Sequence, residues 1–179
     1  MEHVPPFVTR VIVVGDDPGE VLKITNFLKP DMVQLHGSES YPVTRKLISE
    51  LKSRGVWVSK ALRFSVETGE LDYDIPDPIE ASRKLEDAGI DALVLDSKTK
   101  SRPAGTGKPF DWEIARKLRE STYLPIILAG GLNAGNVRAA IETVRPYGVD
   151  VISSLEDSVG KKDPEKVRTF MRIVRSLEL

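Results

Sequence analysis

Two apolar runs in this chain end in residues suited to holding an anion. Leu124-Pro-Ile-Ile-Leu-Ala-Gly-Gly-Leu-Asn133 stops at Gly130 and Gly131, with a helix-starting Asn behind them. Further on, Val149-Asp-Val-Ile-Ser-Ser154 closes with Ser153 and Ser154. If the runs are neighbouring parallel strands, bare backbone N–H groups and hydroxyls meet at one rim, where a phosphate can sit. Turn glycines alone would read the same way, but a pair directly before a helix start favours the anion cradle. Three more polar residues end apolar runs. Asp96 closes Ala92-Leu-Val-Leu-Asp96, where partial desolvation suits a general acid, although a capping Asp would look alike. His36 follows Val33-Gln-Leu, placed to stack on or hydrogen-bond a substrate ring, or to be a structural strand-end histidine. Arg63, in Lys60-Ala-Leu-Arg63, suits a carboxylate or phosphate, or a rim salt bridge. Past Asp96, the Gly105-Thr-Gly107 segment is flexible enough to fold over a ligand.

These residues need elements to hold them. Mostly β-branched runs at Val8–Val14, Met32–His36, Val56–Phe64, Ala92–Asp96, Pro125–Ala129 and Val149–Ile152 predict parallel strands covered by helices. Helical patterns lie between them: Val43, Leu47, Ile48 and Leu51 share one face, and Val137, Ala140, Ile141 and Val144 another. Asp17-Pro18, Asp77-Pro78 and Asp163-Pro164 each place a capping side chain before a first-turn proline. Gly55, Gly89 and Gly148 stand where helices should stop. The result is six βα units in one domain spanning 1–179, an α/β fold of open doubly wound or barrel type. In a barrel, chemistry gathers at the C-terminal ends of strands, where the residues above cluster.

Composition narrows the chemistry. Among 179 residues, 40% are hydrophobic and 30% charged, which suits a globular domain with its own core. The net charge of −1 offers no general attraction for nucleic acid or an anionic membrane. No apolar run approaches the roughly 20 residues of a membrane span. Met1-Glu-His-Val-Pro-Pro-Phe7 lacks a signal-peptide layout, so the cytoplasm is the expected location. The absence of cysteine removes disulfides and thiolate catalysis. With two histidines, His3 and His36, no metal site is expected.

Taken in order, the motifs resemble those of phosphoribosylanthranilate isomerase. The resemblance rests on Val33-Gln-Leu-His-Gly37, Lys60-Ala-Leu-Arg63, Leu95-Asp-Ser97, Gly105-Thr-Gly-Lys-Pro-Phe-Asp-Trp112, Leu128-Ala-Gly-Gly-Leu-Asn133, Val144-Arg-Pro-Tyr-Gly-Val-Asp-Val151 and Gly160-Lys-Lys-Asp-Pro164. It runs through the whole chain. It implies a cofactor-free TIM-type barrel acting in tryptophan biosynthesis on a phosphorylated small molecule. The implied reaction is an Amadori rearrangement of N-(5-phosphoribosyl)anthranilate to 1-(2-carboxyphenylamino)-1-deoxyribulose 5-phosphate. Asp96 matches the general acid. His36, Arg63, Gly105 and Gly107 fall to substrate binding, and Gly130, Gly131, Ser153 and Ser154 to the phosphate.

Two departures from the family pattern set further expectations. The family's general base is a Cys in a first-strand K-I-C-G motif, and the resemblance makes Val8–Val14 the third strand. The barrel is therefore expected to be incomplete, without the first two βα units. The Cys and a carboxylate-binding Arg of an S-x-R motif go with them. Little activity is expected from this polypeptide alone, as a fragment, a mis-called start, or a non-catalytic phosphate-binding partner of a full enzyme. Homodimerisation through exposed barrel edges is a further expectation. Other phosphate-binding barrels fit less well: a ribulose-phosphate epimerase needs more metal-binding histidines, and the early Lys and Glu of indole-glycerol-phosphate synthase have no match. The second departure is Asp150-Val-Ile-Ser-Ser-Leu-Glu156 in place of D-V-S-S-G-V-E. Ser154 replaces a glycine, and its Cβ is expected to narrow the cradle or require a different backbone angle.

Overall fold

The three Asp-Pro steps start helices in the computed structural model, which describes residues 4–99 and 109–177. Asp17 accepts from the Gly19 and Glu20 amides at 2.8 and 3.0 Å, opening α1 (Pro18–Leu28). Asp77 accepts from the Glu80 amide at 2.7 Å, opening α3 (Pro78–Asp87). Asp163 accepts from the Glu165 amide at 2.8 Å, opening α6 (Pro164–Arg175). Each bond satisfies a helix N–H that has no partner in its own helix. The remaining helices are α2 (Tyr41–Lys52), α4 (Trp112–Ser121) and α5 (Val137–Val144).

The strands β1 (Val11–Val14), β2 (Met32–Leu35), β3 (Trp57–Ser65), β4 (Ala92–Lys98), β5 (Ile126–Leu128) and β6 (Gly148–Val149) form one sheet. They pair in parallel and in chain order, each joined to the next by a helix. This is the expected α/β array of six βα units, a partial barrel with β1 and β6 at its edges. Alternate residues fall on opposite faces. Val33, Leu35, Val58, Leu62, Leu93, Leu95, Ile126 and Leu128 pack under Leu47, Ile48, Leu51, Leu85 and Leu118 of the helices. The other face carries Ala61, Val94, Ile127 and Ala129. At the β1 edge that face is open: Val13 is 61% exposed.

Several boundaries differ from the sequence expectation. The first strand covers only Val11–Val14, because Asp31 takes the backbone N–H of Arg10 at 2.7 Å and also binds its guanidinium. Gly148 is not a helix stop. α5 ends earlier, with Arg145 in the left-handed region at φ 50, and Gly148 opens β6 opposite Ile127. Asn133 does not start the helix; an intervening turn ends at Asn136, whose side chain accepts from the Asn133 amide at 2.8 Å. Beyond β6 the chain enters a 3-10 turn (Ser153–Leu155) and a hairpin of β7 (Glu156–Ser158) and β8 (Lys161–Lys162) that the apolar pattern did not announce. Among the described residues, no helix is long and apolar enough to cross a membrane.

Among the described residues, one ion pair is fully interior. Lys60 on β3 is 1% exposed, and its Nζ lies 3.0 Å from Glu39 Oε1. The same ammonium donates to the Gly37 carbonyl at 2.8 Å, tying β3 to the turn after β2. Burial pushes the Lys60 ammonium below its usual pKa, and Glu39 opposes that shift. Lys60→Met leaves Glu39 as an unpaired buried charge and should cost about 3–5 kcal/mol in urea unfolding, with Lys60→Met/Glu39→Leu recovering most of it.

Candidate active site

The strand parity that buries Leu93 and Leu95 under the helices sends Val94 and Asp96 to the opposite face. The same rule on β2 sends Gln34 and His36 there. At the C-terminal rim they meet: His36 Nε2 lies 3.1 Å from Asp96 Oδ2. The Ser97 amide donates to Asp96 Oδ1 at 2.7 Å, so the carboxylate is held at both oxygens. Its side chain is 12% exposed and that of His36 18%. A cavity of about 320 Å³ opens beside the pair, lined by His36, Asp96, Gly130, Gly131, Asp150 and Ser153 among others.

Gly130 and Gly131 follow β5 with φ of 79° and 67°, in the left-handed region that favours glycine. At Gly130 there is a second reason: a Cβ would lie 2.5 Å from the Ser97 amide nitrogen. The glycine thus lets the loop after β5 rest against the strand that bears Asp96. Among the described residues no acceptor takes the Gly130 or Gly131 amide, while the Gly131 carbonyl is held by Asn136 Nδ2 at 3.0 Å. Ser153 follows β6, the direct neighbour of β5, and lines the same cavity.

The remaining expected site residues are placed differently. Ser154 sits in the 3-10 turn and its Oγ donates to the Leu132 carbonyl at 2.6 Å, fastening this turn to the glycine loop. Of the two expected effects of its Cβ, a left-handed backbone angle is not seen: the non-glycine residues with positive φ among those described are Phe7, Lys29 and Arg145. Arg63 pairs with Asp96 in the β3–β4 register, but its guanidinium turns to Ser38 Oγ at 2.5 Å and Asp72 Oδ2 at 3.0 Å. The structure therefore gathers it into a rim salt bridge and not into the cavity lining. Gly105 and Gly107 lie outside the described residues.

Asp150 is a cavity residue that the sequence reading passed over. Burial pushes its carboxyl above the usual aspartate pKa, and the nearby Asp96 carboxylate adds to that shift. Its signal in the sequence was weak: a lone carboxylate inside the short apolar run Val149–Ile152, next to the glycine that opens β6. No group of His, Cys, Asp and Glu among the described residues could hold a metal ion. What the cavity brings together is proton-exchanging side chains, His36, Asp96 and Asp150, and two glycine amides with no acceptor among the described residues.

Comparison with known proteins agrees with that chemistry. The family model described as N-(5'phosphoribosyl)anthranilate (PRA) isomerase matches residues 2–172. The N-(5'-phosphoribosyl)anthranilate isomerase of Methanocaldococcus jannaschii is 37% identical over 177 residues, covering 98% of this chain and 77% of that protein. The solved structure of the Thermus thermophilus enzyme matches with a TM-score of 0.76 and 30% identity, over 99% of this chain and 77% of that one. A further phosphoribosyl anthranilate isomerase, solved with reduced 1-(o-carboxyphenylamino)-1-deoxyribulose 5-phosphate, matches with a TM-score of 0.71 and 31% identity, over 98% and 76%. Motif order, half-barrel and rim chemistry converge on one assignment: the chain belongs to the N-(5'-phosphoribosyl)anthranilate isomerase family of tryptophan biosynthesis.

Proposed function

We propose that the cavity at the C-terminal rim carries out the acid half of the rearrangement of N-(5-phosphoribosyl)anthranilate. The observation that carries this reading is the His36–Asp96 contact of 3.1 Å on the wall of a cavity also lined by Gly130 and Gly131. The 5-phosphate rests on the amides of Gly130 and Gly131 and on Ser153. Asp96 gives its proton to the ribose ring oxygen as the C1–O bond breaks, and the anilino nitrogen lone pair forms the C1=N bond. A base then removes the C2 proton, and those electrons make the C1=C2 enolamine. Ketonisation moves the 2-hydroxyl proton away and protonates C1, leaving the ketone at C2.

The 179 residues contain no cysteine, so the thiol base implied by the family resemblance has no match here. We assign that base to a polypeptide segment outside these residues, which makes turnover by the isolated 179-residue chain weak. The same observation supports a second reading, a chain that binds the phosphorylated ligand without turning it over. The open edges at β1 and β6 favour pairing with a second copy.

A steady-state assay with N-(5-phosphoribosyl)anthranilate separates these readings: ordinary enzyme rates from the 179-residue chain would overturn the external base. In a chimera joining this chain to the N-terminal part of the Methanocaldococcus jannaschii relative, Asp96→Asn should lower kcat by about 10²–10⁴ while leaving affinity for the reduced product analogue nearly unchanged. Retained turnover would refute the acid role. Gly131→Leu should weaken binding of that analogue at least about tenfold, measured by calorimetry, since a left-handed turn accommodates no bulky side chain. Unchanged affinity would assign the glycine pair to the fold alone.

A further inference from the structure

Asp150 stands out among the titratable groups of the cavity because it forms no ion pair among the described residues. Asp96 has His36 at 3.1 Å, but among the described residues no cation lies within ion-pair distance of Asp150. Lys162 on β8, a cation whose charge acts on it, is already committed to Glu156 at 2.8 Å and to the Ile152 carbonyl at 2.9 Å. The Asp150 backbone is fixed to β5, its amide donating to the Leu128 carbonyl at 2.8 Å, so the carboxylate cannot swing away with a mobile loop. Asp150 lines the same cavity as Asp96 from β4 and His36 from the end of β2, and the charge of Lys162 from β8 and the adjoining Val151 amide also act on it.

Two carboxylates and one imidazole on the wall of one cavity cannot all lose their protons independently. We infer that Asp150 is a positioning residue for the acid: its negative charge keeps a proton on the Asp96–His36 pair. The chemistry requires this. Ring opening consumes a proton delivered by Asp96, whose carboxylate has the His36 ring 3.1 Å away. A second carboxylate makes a fully deprotonated cluster costly and draws the proton back between solvent and substrate. Asp150 thereby acts through Asp96 and needs no contact with the reacting atoms. This rests on the reading of Asp96 as the acid, but proton binding is measurable without any turnover.

The chain has two histidines, so His3→Gln leaves His36 as the single imidazole. Its nitrogen resonances, followed by NMR against pH, report the pair directly. In that background Asp150→Asn should move the His36 titration midpoint down by about half a pH unit or more, and Asp150→Glu should restore most of it. Asp150→Ser is the second variant, giving the same downward shift with a smaller side chain, and backbone amide spectra check that each variant is folded. A midpoint that stays in place or rises in the folded variants overturns the inference. Titration of the same samples with the reduced product analogue keeps this result separate from the functional reading. A normal His36 shift without ligand binding refutes the isomerase site and leaves the proton coupling standing.

Discussion

Everything at this site depends on the two-residue period of a parallel strand locked in register with its neighbours. Once Leu93 and Leu95 are claimed by the helix layer, Val94 and Asp96 have one face left to occupy, and the register with β3 and β5 fixes their height. A slip of one residue in β4 would bury Asp96 among leucines and present Leu95 to the cavity. The hydrophobic layer therefore specifies where the acid stands more firmly than any hydrogen bond around it. The His36–Asp96 contact and the Ser97 amide refine that placement.

The polar framework beneath the rim does a different task. Lys60 and Glu39 form a buried pair whose desolvation offsets most of its attraction, so its net contribution to stability is small. What it fixes is geometry. The Lys60 ammonium holds the Gly37 carbonyl, and Gly37 follows the histidine that faces Asp96. The cavity thus has a wall set by packing on β4 and a wall set by a charge on β3. Arg63, next to Asp96 in register, belongs to this framework too, since Asp72 and Ser38 hold it at the rim.

Much of this was legible in the sequence because it depends on local chemistry. The Asp-Pro caps, the β-branched runs and the glycine pair announce themselves over a few residues, and Asp96, His36, Gly130 and Gly131 were visible as polar ends of apolar runs. Asp150 lacked that mark, since it interrupts the short run Val149–Ile152 instead of closing it. Gly148 misled because glycine also opens short strands, and the αL residue that ends α5 is an arginine. The direction of Arg63 and the fastening role of Ser154 were not legible at all. Both depend on partners distant in the chain, Ser38 and Leu132, whose proximity exists only after folding.

The close approach of Gly130 to Ser97 links two parts of the cavity that a chemist would treat as separate, the glycine loop after β5 and the strand that bears Asp96. Any side chain at 130 has to be accommodated at 97, one position from Asp96. Sequence drift in the glycine loop therefore cannot proceed on its own. It is tied to β4, and descendants of this chain that keep one of the two in its present shape are constrained to keep the other.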